Sequence, residues 1–338
     1  MIQKLSRREQ LTPEEVSGVA EVIMSGESTP VQVAGFLTAL SMRGETAEDL
    51  VAFARVLRSK MVPFCRPEGI ILDTCGTGGD HSGTFNISTA AAFVAAGAGV
   101  RVAKHGNRSM TSKCGSADVL AELGVGIDSP TEVMEQALAE IGVCFLFAQQ
   151  YHHSMKNVAV VRRELGIRTI FNRLGPLLNP AAAQHQLIGV FSRDLTGMQA
   201  EALRELGSRR ALVVHGADGL DEITTTGVTN AAELFKGEIR EVELKPSDFG
   251  IRMARREDLA GGDPAENAEM VEEILLGMPG PRADIVILNA GAAIYVAEQA
   301  ATVAEGVEKA RLSVKSGAAK EKLEELRVLT KASRKGQG

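Results

Sequence analysis

Residues 69–80 read GIILDTCGTGGD, a short apolar run that passes directly into a glycine-rich loop. The run 69–73 predicts a β-strand, and the glycines after it let the backbone turn sharply and aim its N–H groups at an anion. The loop matches neither GxxxxGKS/T nor GxGxxG, which disfavours a mononucleotide P-loop and a dinucleotide fingerprint. Taken alone, such a turn is a plain tight turn at least as often as a ligand loop.

Further strands and helices alternate along the rest of the chain. Strands that alternate with helices indicate an α/β fold with a mainly parallel sheet covered by helices on its faces. The apolar runs and closing glycines predict helices at 88–96 and 116–123, and strands at 100–103, 211–214 and 284–288.

The first sixty residues predict a helical unit, because the same helix-start pattern recurs. Thr12 precedes a proline and stands three residues before Glu15, which is a capping-box pattern. Thr29 repeats it with a glutamine, and Thr46 gives a weaker version. Residues 155–183 also indicate helices, and we expect them to return to the N-terminal unit. The polar residues 331–338 predict a disordered tail.

Composition excludes several classes of protein. The chain has 338 residues, 24% charged and 44% hydrophobic, as in an ordinary globular enzyme, and its net charge of −6 argues against a nucleic-acid-binding protein. Two uncharged stretches, 81–100 and 174–192, contain too many polar residues for membrane spans. Four cysteines without CxxC spacing, and no apolar core in the first thirty residues, predict a reduced cytoplasmic setting.

Two further clusters carry anion-binding chemistry. Thr84, Asn86, Ser88 and Thr89 lie before and at the start of a predicted helix, where free N–H groups and a partial positive charge favour phosphate. The alternative is that Ser88 or Thr89 only caps the helix. Residues 104–116 place Lys, Arg and hydroxyl side chains around glycines at the end of the next strand, where α/β proteins bind ligands. A solvated basic turn is the alternative there.

Acidic residues and arginines complete the candidate site. Asp218, Asp221 and Glu222 follow the strand 211–214, and a carboxylate pair at a strand end suits Mg²⁺ with substrate phosphates. Arginine suits bidentate binding of a carboxylate, but periodicity does not say which arginine faces the cleft. The candidates are Arg162, Arg163 and Arg168.

Six motifs, in this order and spacing, resemble the anthranilate phosphoribosyltransferase family of tryptophan biosynthesis over essentially the whole chain. They are GTGGD (76–80), TFNIST (84–89), KHGNRS (104–109), GSADVL (115–120), RTIFNRLGPLLNP (168–180) and LDE (220–222).

The resemblance implies a small all-helical domain and a large α/β domain, with the active site between them. The helical domain would comprise 1–67 with about 156–185, and the α/β domain 68–155 with about 186–333, leaving 334–338 as a tail. The family transfers phosphoribose from phosphoribosyl pyrophosphate to the amino group of anthranilate. The resemblance further implies a Mg²⁺ cofactor and a homodimer joined through the helical domains. Composition and charge add the expectation of a cytoplasmic enzyme that binds neither nucleic acid nor membrane.

The resemblance also implies a role for each matching residue. Ser88, Asp221 and Glu222 would hold Mg²⁺, and Gly76, Asn107 and Arg162 would contact anthranilate. Lys104, Asn107 and Arg162 would be catalytic. The donor-binding residues would be Gly76, Gly79, Asp80, Thr84, Asn86, Ile87, Ser88, Thr89, Lys104, His105, Gly106, Asn107, Arg108, Ser109, Met110, Thr111, Ser112 and Ser116.

The chemistry of the reaction agrees with these roles. Loss of pyrophosphate from an anomeric carbon builds charge on the leaving group, which Mg²⁺, Lys104 and backbone N–H groups would neutralise. The acceptor amine is already neutral at pH 7, so positioning is the main requirement.

Five positions depart from the family pattern without removing a named ligand. They are Met110, Thr111, Cys114, His153 and Val160.

Two other functions remain open at this point. A pyrimidine-nucleoside phosphorylase resembles the family in fold but would use inorganic phosphate and would not need the acidic pair. A catalytically silent relative that binds nucleic acid would need a basic groove, which the net negative charge disfavours.

Overall fold

A seven-stranded sheet organises the larger part of the molecule. The computed structural model describes residues 1–80, 82–109 and 113–335. The strand order is β3-β2-β1-β4-β5-β6-β7; the first five strands in this order run parallel, and the last two pair antiparallel. The strands are β1 Leu72–Gly76, β2 Val102–Gly106, β3 Val143–Phe147, β4 His185–Gly189, β5 Arg210–Gly216, β6 Thr229–Phe235 and β7 Glu238–Leu244.

Helices cover both faces of this sheet, which confirms the predicted fold class. Successive side chains of a strand point to opposite faces, so Leu187 and Leu212 belong to one apolar core while Ile188 and Val213 belong to the other. The helices of this part are α5 Ile87–Gly97, α6 Ser116–Glu122, α7 Thr131–Gln136, α8 Ala148–Tyr151, α11 Leu195–Glu205, α12 Pro264–Leu275, α13 Pro281–Val296, α14 Val303–Lys315 and α15 Ala318–Lys335.

A bundle of helices forms the apolar core that contains Ile188 and Val213, together with that face of the sheet. The three predicted capping boxes at Thr12, Thr29 and Thr46 are all present. The ring of Phe171 meets Phe53 edge-on, with centroids 5.8 Å apart, so the later helical segment packs on the N-terminal one. The helices of the bundle are α1 Ile2–Ser6, α2 Pro13–Ser25, α3 Pro30–Arg43, α4 Ala47–Ser59, α9 Lys156–Leu165 and α10 Phe171–Leu174.

Two sequence predictions of local structure are wrong. The run 284–288 is part of helix α13 and not a strand. An apolar run cannot distinguish a buried strand from a helix that is buried on all sides, and α13 is such a helix. Residues 331–335 belong to α15 and not to a disordered tail, because Thr330 anchors the helix by accepting a hydrogen bond from the Gly126 N–H. Residues 336–338 lie outside the described part.

The two uncharged stretches do not form membrane spans in the described part of the chain. There, no helix has both the length and the apolar composition needed to cross a bilayer.

Candidate active site

The predicted loops meet at one edge of the sheet, where β1, β2, β4 and β5 end. Because these strands are parallel, their carboxyl ends share that edge. The glycine-rich loop, residues 76–80, follows β1, and the basic loop, within residues 104–116, follows β2. The acidic loop, residues 218–222, follows β5 and passes over the end of β4. The structure thus brings three of the predicted motifs together.

The acidic loop is bonded to two of the anion-binding motifs. Asp221 Oδ2 accepts a hydrogen bond from the Gly78 N–H at 2.9 Å. Glu222 Oε1 accepts one from the Ser88 N–H at 3.1 Å, at the start of α5. The two carboxylates therefore connect the glycine-rich loop and the helix start.

Two glycines make this close approach possible. Gly76 and Gly189 are paired in register at the ends of β1 and β4. A Cβ at Gly76 would lie 2.4 Å from Asp221 Oδ2, and a Cβ at Gly189 would lie 1.5 Å from the Asp221 carbonyl oxygen. No side chain fits at either position without a shift of the acidic loop.

Three carboxyl groups lie close together around the acidic loop. Burial, reinforced by the nearby Asp80 carboxylate, raises the pKa of Asp221 to about 7. Burial and the neighbouring Asp221 raise the pKa of Glu222 to about 8. One oxygen of Asp80, Oδ2, is buried without a hydrogen-bond partner. A cation at this place would relieve all three carboxylates.

The donor set fits Mg²⁺ better than a metal that needs a full protein cage. Within the described residues, no group of three or more His, Cys, Asp and Glu side chains has the arrangement of a metal site. Mg²⁺ usually takes one or two carboxylates and completes its shell with waters and substrate phosphates. The pair Asp221 and Glu222 and the hydroxyl of Ser88 match that requirement.

Lys104 is the buried cation of the site. Its Nζ donates to the carbonyl of Thr74 and, at 3.2 Å, to Ser88 Oγ. Burial lowers the pKa of Lys104, while the nearby Asp73 opposes that effect. The Ser88 hydroxyl therefore contacts Lys104 and does not cap α5; the cap position is Asn86, whose side chain makes no capping bond.

Asn86 is held by a residue that the sequence did not single out. Its Oδ1 accepts hydrogen bonds from Asn267 Nδ2 at 3.0 Å and from Cys114 Sγ at 3.3 Å. Asn267 is buried in α12 and in turn accepts a bond from the Gly262 N–H at 2.7 Å. The only signal in the sequence is an amide within a largely amphipathic helix, which does not reveal its partner.

The remaining residues of the motif after β1 lie around these contacts. The carbonyl of Gly79 accepts a hydrogen bond from Arg168 Nη2, and Thr84 Oγ1 lies 3.2 Å from Ser82 Oγ. Ile87 and Thr89 are buried, and Thr89 Oγ1 has no hydrogen-bond partner.

The basic loop is less cationic than its composition indicates. Arg108 forms an ion pair with Asp118 at 2.9 Å, and the same carboxylate accepts a bond from the Ser109 N–H. Ser116 Oγ donates to the carbonyl of Asn107 at 3.3 Å, which folds the loop back on α6 just beyond Gly106. Met110, Thr111 and Ser112 lie outside the described residues.

The structure distinguishes the three candidate arginines. Arg163 is exposed, and the guanidinium of Arg168 stacks 4.1 Å from the Phe191 ring. Arg162 stacks 5.3 Å from the Phe171 ring, and burial lowers its pKa. It makes no ion pair with any described residue. Burial therefore separates Arg162, which is half-buried, from the exposed Arg163 and Arg168 as the candidate for binding a carboxylate.

Comparison with known proteins first defines the class. The model of the glycosyl transferase family, helical bundle domain, matches residues 1–61, and the model of its a/b domain matches residues 68–320. This arrangement is a two-domain glycosyl transferase.

Individual relatives then define the family. The chain is 51% identical over 330 residues to an anthranilate phosphoribosyltransferase of Methanocorpusculum labreanum, covering 97% of each chain. It is 52% identical to one of Desulfitobacterium hafniense, covering 96% of each. The chain belongs to the anthranilate phosphoribosyltransferase family, which confirms the resemblance seen in its motifs.

Solved structures agree with this family assignment. The crystal structure of anthranilate phosphoribosyltransferase from Thermus thermophilus superposes with a TM-score of 0.93 at 44% identity, covering 98% of this chain and 99% of that one. The Saccharomyces cerevisiae enzyme in complex with PRPP and Mg gives a TM-score of 0.90 at 30% identity, covering 98% and 97%.

Proposed function

We propose that this protein transfers the phosphoribosyl group of phosphoribosyl pyrophosphate to the amino group of anthranilate, in tryptophan biosynthesis. The products are N-(5-phosphoribosyl)anthranilate and pyrophosphate. The observation that carries the proposal is the half-buried acidic loop, where Asp221 and Glu222 bond the glycine-rich loop and the start of α5 beside Lys104. This arrangement supports the binding of a metal-bound polyphosphate.

Mg²⁺ is the cofactor of this reaction, and Ser88, Asp221 and Glu222 would hold it. When bound, it neutralises charge on the pyrophosphate group. The raised pKa values of the two carboxylates support this assignment, because they indicate a site that favours an added positive charge.

The donor would lie along the motifs that follow β1 and β2. In this arrangement Lys104 stabilises the departing pyrophosphate, since a buried ammonium interacts strongly with charge that develops nearby. The glycine-rich loop and the start of α5 would orient the phosphates, and Asn86 would be fixed for this task by Asn267.

Anthranilate would be positioned by Arg162, Asn107 and Gly76. An uncompensated guanidinium that is held by a ring suits bidentate binding of the anthranilate carboxylate. The acceptor amine needs no strong base, because it is neutral at pH 7. Orientation is then the main contribution of these residues to the rate.

A homodimer in the cytoplasm completes the proposal. Val31 and Met42 on α3 are 80% and 84% exposed, and apolar side chains on a helical surface favour contact with a second copy. Within the described residues none of the four cysteines forms a disulfide, as expected in a reducing compartment.

The decisive experiment follows the fluorescence of anthranilate after mixing with the protein and phosphoribosyl pyrophosphate. We expect fluorescence to fall with Mg²⁺ and to stay constant with EDTA. Constant fluorescence with folded protein and Mg²⁺ would contradict the proposal. Nucleoside phosphorolysis would then test the phosphorylase alternative, and its absence would favour the silent relative.

A further inference from the structure

One polar side chain lies in the middle of the apolar helix α13. Asn289 is fully buried, and an amide in such a place is costly unless its hydrogen bonds are made. Its Oδ1 accepts from the Ile223 N–H at 2.9 Å, and its Nδ2 donates to the Ile223 carbonyl at 2.8 Å. A second bond from Nδ2 goes to the Ile285 carbonyl at 2.9 Å.

This arrangement fixes both backbone polar groups of a single residue. A side-chain amide that pairs with one N–H and one carbonyl replaces the partner that a neighbouring strand would supply. Ile223 is itself buried and stands next to Glu222 and two residues after Asp221. The contact therefore fixes the backbone at the residue that directly follows Asp221 and Glu222 in the chain.

The acidic loop is also held from within, where Asp218 Oδ2 accepts hydrogen bonds from the hydroxyls of Thr224 and Thr226. Gly76 and Gly189 allow it to approach the strand ends, and the bonds from Gly78 and Ser88 reach its carboxylates from the substrate side. Each of those two bonds occupies one oxygen of a carboxylate that is proposed to hold the metal. Asn289 holds the loop from the opposite side without occupying a metal-binding oxygen.

We infer that Asn289 is a positioning residue for the metal site, acting through Ile223. This inference rests on the proposed function, since it assigns Asp221 and Glu222 to Mg²⁺. Outer residues that orient metal ligands typically change metal affinity or activity by about 10- to 100-fold when they are replaced. A residue that only fills the core would lower stability and leave metal affinity unchanged.

The test measures metal binding separately from turnover. Mn²⁺ replaces Mg²⁺ as a spectroscopic probe, and inorganic pyrophosphate supplies the phosphate ligand. Electron paramagnetic resonance measures the concentration of free Mn²⁺ in the presence of the full-length protein, which gives the Mn²⁺ affinity. Asn289→Leu removes both bonds to Ile223 at similar volume. Asn289→Asp keeps the side-chain shape and the oxygen that accepts from the Ile223 N–H, but it replaces the Nδ2 donor. This variant is measured instead if Asn289→Leu does not fold.

Thr330→Val is the matched control. Thr330 is equally buried, and its Oγ1 accepts a bond from the Gly126 N–H at 2.9 Å, in a loop that is not part of the site. The control thus removes a buried side-chain to backbone bond without touching the acidic loop. We expect it to lower the melting temperature and to leave Mn²⁺ affinity within about twofold of the wild type.

For either Asn289 variant we expect Mn²⁺ affinity with pyrophosphate to fall by about 10-fold or more, and saturating Mg²⁺ to restore much of kcat. Unchanged affinity, or a loss no larger than in Thr330→Val, would overturn the inference. So would a wild-type chain that binds no Mn²⁺ with pyrophosphate. Failure of the proposed function has a different signature: the wild type would bind the metal and leave anthranilate unconsumed.

Discussion

His105 and His152 share a buried hydrogen bond, with their Nε2 atoms 3.1 Å apart. The rings meet at 61° with centroids 5.0 Å apart, and both side chains are almost fully buried. Burial, aided by the neighbouring ring, lowers the pKa of His105 to about 3, and burial lowers the pKa of His152 to about 4. Both imidazoles are thus neutral at pH 7, and the N–H of one ring is donated to the unprotonated nitrogen of the other.

The first prediction concerns the pH dependence of stability. In the unfolded chain both histidines bind protons near pH 6.5, whereas in the folded chain they stay neutral down to about pH 4. Since the unfolded state then binds more protons at these two sites, the contribution of the pair to the free energy of unfolding falls as pH drops below 6.5, by about 1.4 kcal/mol per pH unit for each histidine.

Replacing His152 removes one of these protons. We expect His152→Gln to lower the number of protons taken up on unfolding between pH 6.5 and pH 4.5 by about one, measured by urea unfolding at several pH values. Parallel curves for variant and wild type would contradict a depressed pKa for His152.

The second prediction concerns the acidic pair. In Asp221→Asn with Glu222→Gln we expect turnover to fall by about 100-fold or more, because both proposed metal ligands are lost. Excess Mg²⁺ with pyrophosphate should raise the melting temperature of the wild type and leave that of the variant unchanged. Near-normal turnover at limiting Mg²⁺ would contradict the metal assignment.

The same variant should be at least as stable as the wild type without metal. A carboxylate whose pKa is raised in the folded state contributes stability at low pH and loses it as pH rises through that pKa. For Asp221 and Glu222 this loss occurs up to about pH 7 and pH 8, so the difference between the chains should be largest at pH 8. Melting curves from pH 5 to pH 8 check the sign.

The third prediction concerns the closest backbone approach in the site. Gly189→Ala would place a Cβ 1.5 Å from the Asp221 carbonyl oxygen, so the acidic loop must move. We expect a loss of about 3 kcal/mol or more in stability and of most Mg²⁺-dependent turnover. Gly227→Ala is the control, since no atom lies within 4 Å of its Cβ, and its effect should stay within about 0.5 kcal/mol. Equal effects at the two glycines would refute the packing argument.

Local patterns of sequence predicted what depends on neighbours along the chain. The capping boxes at Thr12 and Thr29 need only Glu15 and Gln32, each three residues away. These features formed as expected because their energy comes from short-range bonds. The motifs also indicated that several loops gather at one end of the sheet.

Features that depend on distant partners could not be predicted in the same way. The residues Asn267 and Asn289 bond partners 181 and 66 positions away, and nothing near them in sequence names those partners. An apolar run such as 284–288 occurs both in buried strands and in buried helices, so only its packing decides which of the two forms. The pairing of Arg108 with Asp118 likewise depends on how the loop folds back.

The fourth prediction concerns Asn267. Its Nδ2 is a hydrogen-bond donor to Asn86 Oδ1, so Asn267→Ala leaves that acceptor to Cys114 alone. We expect the KM for phosphoribosyl pyrophosphate to rise about 5- to 10-fold, corresponding to one lost hydrogen bond of about 1 kcal/mol. The KM for anthranilate should change less than about twofold, since the affected residue belongs to the donor side. A larger change in the KM for anthranilate would show that Asn86 serves the anthranilate side of the site and not the donor side.

The last prediction concerns recognition of the anthranilate carboxylate. Arg162→Lys keeps the charge but removes the planar pair of donors, so the KM for anthranilate should rise by about 10-fold or more while donor KM stays nearly constant. Arg163→Lys is the matched control on the same helix, because Arg163 is exposed and should tolerate the change. A rise in anthranilate KM that is equal in both variants would point to an effect on α9 itself. A normal KM in Arg162→Lys would instead favour Arg168, whose guanidinium already reaches the glycine-rich loop at the Gly79 carbonyl.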